Sequence, residues 1–274
     1  MGYVGRKLRE SRLLFPKSNR GLIVPIDHGL TMGPISGLQS VYAVESWINS
    51  NYVSAVLAHK GILEKLILRG MLRPSTGIIL HMSGMPTISE SPDTKILVAS
   101  IEAALQLGVD AVSIQVNFTE TNFEHNLSVL GSVTDIAHEA GLPVLTMLYD
   151  KVVSESSEIK MERLHHLIRI VTELGSDAIK IGFPDSESAI TEIVDLHGSD
   201  IKIFFAGGEK TSDEILINST KAAISAGACG LCVGRNIFQN LNPQSLLHHL
   251  YECIYPMDFK MDRDGKGANP REHR

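Results

Sequence analysis

Lys180 stands inside an apolar run, Ala178-Ile179-Lys180-Ile181-Gly182-Phe183, that has the composition of a buried strand. An ammonium there is costly unless it is paired or loses its proton. A lysine held as the neutral amine in an apolar pocket is also what carbonyl chemistry through a Schiff base requires. Tyr149 and Asp27 close two other apolar runs and could exchange protons beside such an amine. Each alone reads equally well as a core tyrosine with a satisfied hydroxyl or as a capping aspartate. His28, His59 and His81 also stand at the ends of apolar runs, and three such histidines could bind zinc. Lys180 already supplies the electrophilic role of a metal, so the expectation is no metal and no cofactor. The pairs His165-His166 and His248-His249 are helical neighbours that diverge rather than converge on one ion. Cys229-x-x-Cys232 lies along a strand-like run, where residues three apart face opposite sides, and reads as ordinary packing.

The elements that would position these residues follow one grammar. An amphipathic helix ends, a glycine follows, and an apolar strand begins within a few residues. Gly108, Gly141, Gly175, Gly198 and Gly227 each take this place, which suits the left-handed position just past a helix. Upstream, GLIVPIDHG, SAVLAHKG and GIILHMS supply three more apolar runs, making eight strands in all. Strands this apolar are buried on both faces, as in parallel sheets. Eight strand–helix units in 274 residues predict an α/β fold, a single-domain (β/α)8 TIM barrel. An open doubly wound sheet is the alternative, because periodicity does not show closure. Residues 1–20 read as a basic extension, 21–255 as the barrel and 256–274 as a flexible, charged tail.

Active sites of such barrels form at the C-terminal ends of the strands. On the sixth strand, Ile179 and Ile181 suit the helix layer, which turns Lys180 and Gly182 toward the interior. The seventh strand ends at Gly207-Gly208 and the eighth at Gly234-Arg235-Asn236. Glycines there let backbone N–H groups approach an anion, and Arg235 adds a charged fork. These two loops are the usual phosphate site of barrel enzymes.

A net charge of −6 argues against a nucleic-acid platform. No apolar stretch approaches the ~20 residues of a membrane helix. The basic start lacks an apolar signal core, and three cysteines make a disulfide framework improbable. The expected location is therefore cytoplasmic, without membrane or nucleic-acid partners.

Taken in order, IVPIDHGLTMGPISGL, LAHKGI, DTKILVASIEAALQLGVDAVSIQVN, AGLPVLTMLY, LGSDAIKI, FFAGGEK and AGACGLCVGRNIFQ resemble the archaeal-type class I aldolases of the DeoC/FbaB family over nearly the whole chain. The resemblance implies a Schiff base at Lys180, with Tyr149 as proton donor and Asp27 as a second acid/base residue. It places Gly207, Gly208, Gly234 and Arg235 on a substrate phosphate, and His28, Gly29 and Lys151 among the substrate-binding residues. It further implies a phosphorylated ketose donor and an aldehyde acceptor such as L-aspartate 4-semialdehyde. Fructose-bisphosphate cleavage is the alternative, and a homo-oligomer, in some members a decameric ring, is the implied assembly. Three stretches depart from the family pattern. Asp150-Lys151-Val152 stands where Pro-Arg-Gly is usual, Gln115 replaces a histidine, and Ile181-Gly182-Phe183-Pro184 replaces a more polar run. From the residues alone, a metal-free sugar-phosphate isomerase or a barrel that only binds a phosphorylated ligand also remains open.

Overall fold

The computed structural model describes residues 2–153 and 156–255. Eight strands, β1 (Gly21–Pro25), β2 (Ala55–Ala58), β3 (Gly77–His81), β4 (Ala111–Phe118), β5 (Val144–Asp150), β6 (Ala178–Gly182), β7 (Lys202–Ala206) and β8 (Gly230–Cys232), form a closed barrel. Every neighbouring pair is parallel, and β8 closes onto β1 with Gly230 opposite Gly21. Closure settles the choice between the barrel and the open sheet. A short ribbon, Ser83–Gly84 paired with Ile96–Leu97, follows β3 at the barrel mouth.

The helices are α1 (Gly2–Ser11), α2 (His28–Met32), α3 (Glu45–Ile48), α4 (Lys60–Leu68), α5 (Ile101–Leu107), α6 (Phe123–Glu139), α7 (Ser157–Glu173), α8 (Glu187–His197), α9 (Asp213–Ser225), α10 (Arg235–Phe238) and α11 (Pro243–Ile254). Serines start four of the long ones. Ser100, Ser156, Ser186 and Ser212 each accept a hydrogen bond from the backbone N–H three residues on, satisfying a donor that the first turn leaves unpaired. At the other end, Gly108, Gly141, Gly175 and Gly227 have positive φ, as the punctuation predicts. Gly198 departs from it with φ −66°. Glycine is needed there for space, since a Cβ would lie 2.6 Å from the Val194 carbonyl oxygen.

Strand alternation produces two cores. Outward residues such as Ile179, Ile181, Ile203 and Phe205 pack under the helices. Inward residues, including Ile23, Leu57, Ile79, Leu145, Met147 and Phe204, fill the barrel. Cys232 belongs to the inner cluster, and Cys229 packs against that cluster too. The expected opposition of this pair fails because Gly230 between them has φ +134° and breaks the alternation. Its Cβ would sit 1.9 Å from the Gly21 carbonyl oxygen, so only glycine lets β8 close onto β1. All three cysteines are free thiols.

Residues 2–20 are built into the base of the barrel. Leu13 and Phe15 are buried, and α1 lies against α6 and the start of β5, with Arg9 Nη1 donating to the Gly141 carbonyl at 2.8 Å. Residues 256–274, read above as a tail, lie outside the described residues.

Candidate active site

Lys180 lies at the centre of β6, level with Met147 on β5 and Phe204 on β7. All three point inward, and Lys180 is only 6% exposed. Its Nζ is 3.9 Å from the Met147 sulfur. Toward the mouth, the next inward positions on β6 and β7 are Gly182 and Ala206, which are paired. A Cβ on Gly182 would meet nothing within 4 Å, so small residues leave open space directly above the amine.

The charge of Lys180 differs from the expectation of a neutral amine. Burial pushes its pKa down, but the Tyr149 oxygen, the Cys232 sulfur and the Asp27 carboxylate favour the ammonium and outweigh burial, so the net direction is upward. The Cys232 thiol, pushed up to about 11 by burial, is uncharged at neutral pH, so there the Tyr149 oxygen and the Asp27 carboxylate are what favour the ammonium. The apolar run conceals this balance because the compensating carboxylate lies five strands away in sequence.

That carboxylate, Asp27, follows β1 and is also inside the barrel mouth. Burial opposes its ionisation, yet His81, His28 and Lys180 bring its pKa down to about 2. The histidines are themselves held toward the neutral form by burial, His81 down to about 3. At neutral pH, Lys180 is therefore the charged group among those that keep Asp27 ionised. Asp27 Oδ2 is 3.8 Å from His81 Nε2, and Oδ1 is 3.5 Å from His28 Nδ1. Asp27 Oδ1 and His28 Nδ1 are both buried without a hydrogen-bond partner among the described residues. Orphaned polar atoms of this kind are rare and mark places where a ligand or solvent completes the bonding.

The other two histidines are tied to the scaffold. His59 Nδ1 donates to the His81 carbonyl at 3.1 Å, and His81 Nδ1 lies 2.6 Å from Ser113 Oγ. Among the described residues, no group of three His, Cys, Asp or Glu side chains is arranged to hold a metal ion.

Tyr149 is on β5 two residues beyond Met147, near enough for its oxygen to act electrostatically on Lys180. Asp150 turns outward instead, where Arg163 Nε and Nη2 donate to its two carboxylate oxygens at 2.7 and 2.9 Å. Lys151 lies 5.8 Å from the Tyr149 ring centre, with its Nζ 3.6 Å from Asp93 Oδ1. Gly29 sits in α2 and borders a separate cleft of about 370 Å³ with Tyr42, Lys65 and Arg69.

The two glycine loops meet on the β7–β8 side. A Cβ on Gly207 would lie 2.8 Å from Val233 and 2.9 Å from Asn236 Nδ2, and one on Gly234 would lie 2.7 Å from the Pro25 carbonyl oxygen. These glycines thus let the loops pack together. Gly208, with φ +65°, faces open space. Asn236, only 2% exposed, was given no role from sequence. Its Nδ2 donates to the Gly207 and Glu209 carbonyls and its Oδ1 accepts from the Thr211 N–H. Those bonds commit the loop's carbonyls to the scaffold. Among the described residues, the backbone N–H groups of Gly208 and Gly234 meet no acceptor. Arg235 stands beside them, its Nη1 3.7 Å from the exposed Glu209 carboxylate. This is a surface of donors and positive charge suited to an anion.

Sequence reasoning also passed over Lys95, Gln115 and Asn117 as site residues. Asn117 Nδ2 donates to Asp93 Oδ1 at 3.1 Å and Gln115 Nε2 donates to Asn117 Oδ1 at 2.8 Å. Gln115 and Asn117 are marked by polarity at inward positions of β4, whereas Lys95 lies just before the ribbon strand Ile96–Leu97.

A family model for DeoC/LacD family aldolases matches residues 21–240. The chain belongs to this aldolase family. It is 30% identical over 252 residues to 2-amino-3,7-dideoxy-D-threo-hept-6-ulosonate synthase 1 of Archaeoglobus fulgidus, covering 92% of each chain. It is also 30% identical to 2-amino-4,5-dihydroxy-6-oxo-7-(phosphonooxy)heptanoate synthase of Streptomyces griseus, over 91% of this chain and 90% of that one. The barrel superposes on a solved Schiff-base-forming fructose-1,6-bisphosphate aldolase with a TM-score of 0.79 at 24% identity, covering 91% of this chain and all of the other. The aldolase barrel is therefore the fold of this enzyme, and no helix among the described residues is long and apolar enough to cross a membrane.

Proposed function

We propose that this aldolase joins a phosphorylated ketose to an aldehyde through a Schiff base on Lys180. The observation that carries the reading is a buried inward lysine within electrostatic reach of Tyr149 and Asp27, with open space above it toward one barrel mouth. The donor's phosphate rests on the backbone of Gly207, Gly208 and Gly234 and on Arg235. The donor's ketone then reaches the amine.

The resting ammonium of Lys180 has no lone pair, so it attacks only after handing one proton through Tyr149 toward the carbonyl oxygen. An ammonium plus a ketone gives an iminium plus water with no net change in protons. The C=N bond forms, the C–O bond breaks, and two lysine protons depart on the carbonyl oxygen. Tyr149 relays them, while Asp27 stays ionised and stabilises the cationic iminium. The iminium then passes an α-proton to the Asp27 carboxylate and becomes an enamine, whose carbon attacks the aldehyde; that proton afterwards restores the one Tyr149 gives up. The new alkoxide takes a proton from Tyr149, and water releases the product from Lys180.

The product named for the Streptomyces relative supports one acceptor. A heptanoate with hydroxyls at C4 and C5, a ketone at C6 and a phosphate on C7 divides at the C4–C5 aldol bond. The halves are dihydroxyacetone phosphate and L-aspartate 4-semialdehyde. Class 1 fructose-bisphosphate aldolase of Halobacterium salinarum, 27% identical over 87% of this chain, supports glyceraldehyde 3-phosphate as the second acceptor to try.

Borohydride reduction in the presence of dihydroxyacetone phosphate tests the reading. A covalent adduct mapped to Lys180 by mass spectrometry is expected, and Lys180→Met abolishes both adduct and turnover. An unmodified Lys180 in a turning-over enzyme would overturn the proposal.

A further inference from the structure

Lys95 carries a charge that the chemistry above does not use. It precedes the second strand of the mouth ribbon, and its side chain is only 5% exposed. Its Nζ donates to the Met85 carbonyl at 3.2 Å, and no carboxylate lies within 4 Å of it among the described residues. Its backbone is fixed as well, because His125 Nε2 donates to its carbonyl at 2.7 Å. A buried ammonium satisfied by one carbonyl is expensive and calls for a compensating anion.

Charge accounting across the mouth shows where that anion belongs. Asp27 answers Lys180, and Asp93 answers Lys151 at 3.6 Å. Asp93 is further engaged by Asn117. Two cations remain in excess: Arg235 beside β8, whose nearest carboxylate is the fully exposed Glu209, and Lys95 on the opposite, β3–β4 side. Lys95 interacts electrostatically first with Asp93, which Lys151 and Asn117 already engage, and then with Lys151, Asp27 and His81, so it belongs to the same mouth as Lys180.

We infer that Lys95 binds the anionic end of the acceptor aldehyde, a carboxylate or a phosphate, on the side of Lys180 opposite the donor phosphate. The inference rests on the aldolase reading above. An anion there exchanges the Met85 carbonyl for a charge-assisted bond, which is shorter and stronger. A neutral aldehyde gains nothing from it, so Lys95 selects acceptors by charge.

The experiment compares acceptors with dihydroxyacetone phosphate as fixed donor. In the wild-type enzyme, kcat/KM for succinate semialdehyde should exceed that for uncharged butanal by at least about tenfold, the scale of one charged hydrogen bond. In Lys95→Met, the KM of the charged aldehyde should rise about tenfold or more. The KM of butanal, the KM of the donor and the borohydride adduct on Lys180 should stay within about twofold. Glyceraldehyde 3-phosphate and L-aspartate 4-semialdehyde, run side by side, distinguish a phosphate from a carboxylate as the natural group. Equal use of charged and neutral aldehydes by the wild type would overturn the inference, even if the variant does not fold. So would an equal loss for both aldehydes, or a raised donor KM, in a folded variant. Absence of the wild-type adduct would instead sink the aldolase mechanism itself.

Discussion

His81 shows how much a single buried ring contributes to the behaviour of the site. Burial holds it neutral, with its pKa down to about 3, while the unfolded chain titrates near the usual histidine value of about 6.5. Below that value the unfolded chain takes up a proton that the native state refuses. Stability is therefore complete above about pH 6.5 and is lost progressively toward pH 3. His28 and His59 are shifted in the same direction by the same cause. Asp27 acts in a lower window: its pKa is depressed to about 2, so its contribution is present above about pH 4 and lost from there down to pH 2. Between pH 6 and 4.5 the histidines thus dominate. Each one kept neutral should contribute a slope of about 1.4 kcal/mol per pH unit. Urea unfolding of His81→Gln over that range should show a slope smaller by about one such increment, and an unchanged slope would mean that His81 protonates freely in the native state.

The elements are joined by aspartates whose importance depends on the glycine before them. Asp110 and Asp177 occupy the same place, two residues after a left-handed glycine and just before a strand. Asp110 Oδ2 accepts from the Ile78 N–H at the start of β3, and Asp177 Oδ2 accepts from the Val144 N–H at the start of β5. Each also meets an arginine from the N-terminal segment, Arg12 at 3.0 Å and Arg6 at 3.4 Å. Asp200 follows a glycine as well, but Gly198 is not left-handed. The chain leaves α8 differently, and the half-exposed Asp200 carboxylate meets no strand N–H, only the neighbouring Ser199 hydroxyl at 3.4 Å and Arg169 at 3.7 Å among the described residues. Asp177→Ala should cost about 3 kcal/mol, because it strands a backbone donor and removes bonds to a charged acceptor. Asp200→Ala should cost less than about 1 kcal/mol. Equal costs in chemical denaturation would contradict this. The contrast also marks what was legible in the sequence. Glycine spacing and apolar alternation located all eight strands and turned Lys180 inward, since both depend on local backbone preference. The carboxylate that keeps Lys180 charged, the carbonyls that bind Asn236, and the isolation of Lys95 depend on residues from distant strands. No local pattern encodes those meetings. The reversal at Cys229 and Cys232 belongs with them, because it depends on how closely β8 approaches β1.

At the scale of the whole molecule, the barrel separates the residues proposed to react from those that close it. Lys180, Tyr149 and Asp27 occupy the mouth, where the strands end. The opposite end is capped by α1 and opens into a cavity of about 770 Å³ bordered by Lys7, Arg12 and Arg73. There Glu10 pairs with Lys202 at the start of β7 and with Lys7 at 3.1 Å, while Arg6 reaches Asp177 below β6. Glu10 is half-buried, and its pKa is lowered by Lys202 and Lys7 against the cost of burial. Removing residues 2–11 should therefore leave Lys202 without its carboxylate and Asp177 without Arg6. It should also expose the base of the inner core around Leu13. Losses of a few kcal/mol should lower the melting temperature by about 5–10 °C for a chain of this size. The catalytic end shares none of these bonds, and in barrels of this kind the base serves stability while the mouth serves function. The truncated enzyme, assayed at 20 °C where it remains folded, should thus form the borohydride adduct on Lys180 as fully as the intact chain. A truncated enzyme that melts at the original temperature would show that α1 does not close the barrel. One that stays folded but no longer forms the adduct would show that the two ends are mechanically coupled through the inner layer of Met147, Lys180 and Phe204.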